Sequence, residues 1–189
     1  MTYFLIFLGV LLRIATHFHD YPLIAPFVKF LPHIPNFAPI AALALFGGTY
    51  LNKRYALIIP IVAMLIADYF IGFYNPYIMA SVYGSFILIG FIGIWLRDHK
   101  TLPNIVGGSL TGSIIFFLVT NFAVWAVPQS FYPHTIQGLI DCYIMALPFF
   151  RNTIAGDLFY VTIFFGAYEL VTIFINKVAK RSVRWERKI

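Results

Sequence analysis

Apolar residues fill most of this chain in about six long runs, punctuated by prolines, turns and short basic stretches. Runs of this length match the roughly 20 residues an α-helix needs to cross a bilayer's hydrocarbon core. The pattern predicts helices over about 2–18, 36–51, 55–73, 77–96, 105–127 and 154–176. The second is short for a span and contains Gly47-Gly48, and the third contains Pro60. A membrane helix tolerates such a proline where neighbours satisfy the freed carbonyl. An Asn75-Pro76 turn separates the third and fourth helices, and Gly108 and Gly112 on the fifth have the spacing of close helix packing.

Two connecting segments are too long for tight turns. Residues 19–35 are broken by Pro22, Pro26, Pro32 and Pro35, but their apolar patches suggest packing on the protein. In residues 128–153, Ile136, Leu139, Ile140, Tyr143, Ile144 and Leu147 recur at helical spacing. This stripe predicts a short surface-lying or re-entrant amphipathic helix in the last outer loop.

Composition places the whole chain, 1–189, in one transmembrane domain. It is 61% hydrophobic and 11% charged, whereas soluble domains are about 25% charged. The charge also sets an orientation. Of 13 Lys and Arg residues, ten fall at Lys53, Arg54, Arg97, Lys100 and in the tail from Lys177 to Lys188. These are alternate gaps, so positive loops and both termini are expected on the cytoplasmic side of a bacterial inner membrane. The net charge of +6 is explained by anionic lipid, without nucleic acid. The first run resembles a signal-peptide core in length. No positive charge precedes it and Arg13-Ile14-Ala15 is a poor cleavage site, so a retained helix is expected.

Ionisable groups at membrane depth are costly and usually face a partner or cavity. With alternating helix directions, Arg13, Asp68 and Asp157 fall in the outer half, as do Asn36, Tyr83, Asn121 and Trp125. With Asp141 and Asn152 from the last outer segment, they form a candidate ligand-binding layer beneath two loops. A structural reading competes with it: Arg13 and Asp68 could be a buried ion pair that fixes packing. The asparagines could be interhelical glue and the aromatic residues an interfacial belt.

His17, His19 and Cys142 are weak metal candidates, because two histidines two residues apart lack the one-face helical pairing of zinc enzymes. No basic neighbour activates Cys142. No nucleophile elbow, zinc-protease motif, phosphate-cradling glycine loop or carboxylate pair on one helix is present, so neither an enzyme nor a cofactor is expected. Glu169, in the inner half of the last helix, stands apart from the outer layer.

Several segments resemble an uncharacterised family of small bacterial membrane proteins: Asn36 to Ile40, Ala44 to Gly48, Pro60, Asp68, Phe116 to Trp125 and Pro148 to Thr153. That family more distantly resembles the S components of energy-coupling-factor (ECF) vitamin transporters, which have six helices and cytoplasmic termini. The resemblance implies uptake of a small water-soluble nutrient, a vitamin or related heterocycle, bound in the outer half of the bundle. Cobalamin belongs to that class, with Cys142 or an outer histidine as cobalt ligand. It also implies an energising transmembrane and ATPase module as partner. Helix 1, however, has Gly9 among bulky Phe7, Leu8 and Leu11 in place of the small-residue docking motif, which leaves a stand-alone carrier open. The alternatives are a non-transport scaffold or assembly protein and an enzyme acting on a membrane lipid.

Overall fold

The structure, a computed structural model, describes the backbone of residues 1–17 and 39–186 and the side chains of 1–14 and 39–178. The loop at 19–35 with His19, the expected start of the second helix at Asn36, and the side chain of His17 lie outside these residues. Among the described residues the protein is all-helical, with six helices and no strand.

The helices are α1 (Thr2–His17), α2 (Ile40–Tyr50), α3 (Ile58–Ile71), α4 (Pro76–Leu96), α5 (Leu102–Ala126) and α6 (Ile136–Glu186). Local chemistry sets several boundaries. Gly72, at φ 109°, stops α3 with its N–H on the Asp68 carbonyl. The Asn75 side chain accepts from the N–H groups of Tyr77 and Ile78, and Pro76 opens α4 with its φ pre-set. Thr101 caps α5 in the same way through the Asn104 N–H.

The centre of the bundle is α2. Every residue from Ala41 to Thr49 is buried, as expected of a helix that is apolar all round. Its small residues let neighbours approach closely. A Cβ on Gly48 would strike the Gly90 carbonyl oxygen, and one on Gly93 would strike that of Leu45. The α2–α4 crossing therefore brings backbone against backbone. Gly108 and Gly112 serve a looser contact: a Cβ added to either would lie 3.2 Å from an α4 side chain, Ile92 and Ile89 respectively. On another side of α2, Phe46 packs among Phe164, Phe165 and Tyr168 of α6.

Three described helices are long and apolar enough to cross a membrane: α4, α5 and the Ile136–Val178 part of α6. The other three are shorter, and the 11 residues of α2 make a rod of only about 17 Å. Phe4, Phe7, Phe91, Trp95, Phe122 and Phe174 are all exposed. That apolar exterior exceeds what soluble monomers display and suits lipid contact.

One expected element differs. The short outer helix and the sixth span are a single 51-residue helix, α6, with Pro148 inside it. A proline removes one helical N–H, and neighbours must hold the helix through the gap. Here α5 braces the helix on both sides of the proline: the Phe117 ring contacts Tyr143 before it and Phe150 after it, with ring centres 5.5 and 4.4 Å away. The Tyr143 hydroxyl also donates to the Leu118 carbonyl.

Candidate functional site

Three helices bring Arg13, Asp68 and Tyr83 together. Met64 and Asp68 are one turn apart on α3, so both face α1. Arg13 Nη2 lies 2.6 Å from Asp68 Oδ1, and its Nη1 lies 2.8 Å from the Met64 sulfur. From α4, the Tyr83 hydroxyl donates to Asp68 Oδ2 at 2.7 Å. Both carboxylate oxygens are thus engaged, and Asp68 is fully buried. Tyr74, in the turn after α3, is raised above the usual phenol range by burial and then by the Asp68 charge. Beside the cluster is a cavity of about 10 Å³, lined by Gly9, Arg13, Leu43, Pro60, Ala67 and Phe86. It has room for about one water.

The remaining candidates are held elsewhere. Asp157 lies at the level of the middle of α5, where the Ser113 hydroxyl reaches its Oδ2 at 2.6 Å. The expected start of its helix at about 154, which would put Asp157 in a first turn, is therefore corrected: α6 begins at Ile136, so Asp157 is deep within the helix. Ser109, one turn from Ser113, has a buried hydroxyl without a hydrogen-bond partner among the described residues. The Asn121 amide donates to Phe117 of its own helix, and Trp125 donates to the Pro133 carbonyl. Asp141 accepts from Gln137 one turn earlier. Asn152 is half-buried on α6. Cys142 is buried with its thiol 3.4 Å from the Asn121 carbonyl, a setting for a packed thiol. Among the described residues no group of three potential metal ligands occurs.

The opposite end of the bundle holds a second polar group that sequence reasoning left unassembled. Glu169 accepts from Tyr50 at 2.9 Å and from Lys100 at 2.7 Å, which settles its internal partners. Arg97 Nε donates to the Gly48 carbonyl at 2.7 Å. A cavity of about 520 Å³ opens here. The 51–57 and 97–101 connections, with their four basic residues, meet at this end, away from Arg13 and Asp68.

An apolar helical bundle with three described helices long enough to cross a bilayer is the architecture of a membrane protein, here with a buried ionic cluster at one end and a basic, open cavity at the other. The chain belongs to a family of unknown function (DUF6580), which matches it over residues 2–180. No curated protein and no solved structure matches it.

Proposed function

We propose that this protein is a multi-pass protein of the bacterial inner membrane that captures a small water-soluble nutrient for uptake. In this reading all six helices belong to the membrane domain, both termini face the cytoplasm, and the bundle resembles an ECF transporter S component. The observation that supports it most is the Arg13–Asp68–Tyr83 cluster, a fully buried carboxylate held by three helices next to a cavity. Ionisable groups placed so deep in an apolar bundle mark ligand pathways as a rule. The ligand class is a vitamin or related heterocycle whose polar atoms would exchange with the bonds that now close the cluster. At about 10 Å³ the cavity is far smaller than such a ligand, so α1, α3 and α4 must part around it. Uptake would draw energy from a partner module or proceed by a stand-alone route.

Small-molecule mass spectrometry of the gently purified protein tests this. A stoichiometric polar heterocycle is the expected finding; gentle preparations that carry no compound, and bind none from a vitamin panel, would refute it. The closure of the cluster on itself favours one other reading, a scaffold or assembly protein in which Arg13 and Asp68 only fix helix packing.

A further inference from the structure

We propose that the basic end of the bundle carries a binding site for a phosphate group, borne by a lipid headgroup or by a free solute. The cavity of about 520 Å³ is lined by Tyr50, Arg97, Lys100, Tyr168 and Glu169 among others. Its chemistry is lopsided. Two cations face one carboxylate, and that carboxylate is already engaged by Lys100 and Tyr50.

Arg97 is the anchor. Its Nε is tied to the Gly48 carbonyl, which fixes the plane of the guanidinium. Its Nη2 is buried and has no hydrogen-bond partner among the described residues. Buried donors are nearly always satisfied, so this orphan leaves the guanidinium beside the cavity with a donor still unmet. A guanidinium's forked donors suit an oxyanion. Lys100 is positioned at the same cavity, 4.8 Å from the centre of the Tyr50 ring, and its ammonium has more protons than Glu169 takes. Tyr50 and Tyr168, with ring centres 3.9 Å apart, form a firm wall. A phosphate offers enough acceptor oxygens to meet both cations at once. Basic ends of membrane helices also lie level with phosphate-bearing headgroups.

The test uses the full chain, purified in detergent and freed of lipid. It is titrated by native mass spectrometry and equilibrium dialysis with phosphatidic acid, with diacylglycerol, which lacks only the phosphate, and with inorganic phosphate. Phosphatidic acid binding without diacylglycerol binding supports the site with a lipid source, and inorganic phosphate binding supports it with a solute source. If neither phosphate compound binds, the proposal is overturned. Arg97→Gln should weaken binding by about tenfold or more, the equivalent of one hydrogen bond to a charged group, while exposed Arg54→Gln should leave it within about twofold. Unchanged affinity in Arg97→Gln overturns the proposal. Should loss of the Gly48 bond prevent that variant from folding, Lys100→Glu decides, with strong loss in support and wild-type affinity against.

Discussion

Arg13 and Asp68 meet at 2.6 Å with 17% and 0% of their side chains exposed, whereas Lys100 and Glu169 meet at 2.7 Å with 36% and 45% exposed. The two bonds are nearly equal in length and very unequal in consequence. At the sealed end, removing one partner strands a charge in an apolar interior. At the open end water replaces the lost partner, and the pair contributes little. Bond length alone therefore says nothing of what an ion pair does; the surroundings decide.

Breaking the sealed end should have the largest effect. Asp68→Ala is expected to destabilise the protein by about 3–5 kcal/mol, read as the midpoint of thermal unfolding in detergent. The double variant Arg13→Met/Asp68→Leu, which removes both charges while adding some bulk at 68 and freeing the Tyr83 hydroxyl, should recover part of that loss. Tyr83→Phe removes one hydrogen bond to a carboxylate and should cost roughly 1.5–3 kcal/mol in the same assay. Between the two ends, Gly93→Ala drives a methyl against the Leu45 carbonyl and should cost about 1–3 kcal/mol. Gly84 and Gly107, where a Cβ meets nothing, sharpen the comparison: alanine there should be neutral or stabilising by about 0.5–1 kcal/mol. The smallest effect belongs to the open end, where Lys100→Ala should shift stability by less than about 1 kcal/mol and less still at high salt.

The apolar runs locate the first five helices to within a few residues, whereas the last extends well beyond its expected 154–176 at both ends. Apolar length marks where a helix runs but not where a polar or proline-containing stretch continues it. Arg13 and Asp68 are legible as partners because charges are scarce in such runs and must find each other. Asp157 is misplaced for one reason, the reading of residues 128–153 as a loop with its own short helix. That reading starts the last span at 154, where the helix in fact begins at Ile136 and runs on through Pro148. A proline inside a membrane helix survives when a neighbour spans the gap, and nothing in the sequence shows that Phe117 does so. Ser113 gives no signal of its own, because a serine in an apolar helix ordinarily bonds its own backbone. The Gly90 and Gly93 pair on α4 is a visible sign of close approach, overshadowed by Gly108 and Gly112. The cavity at the basic end is hidden for another reason. Tyr50, Arg97, Lys100 and Glu169 lie on different elements, and in the sequence Arg97 and Lys100 read only as markers of orientation.

The most direct measurement is small-molecule mass spectrometry of Arg13→Met/Asp68→Leu beside the wild type, with folding of both checked by thermal unfolding. The proposed function predicts a stoichiometric polar compound in the wild type and none in the folded variant. A folded variant that retains the compound undiminished, or a wild type that carries and binds none, would contradict it and leave the cluster as a device for packing helices.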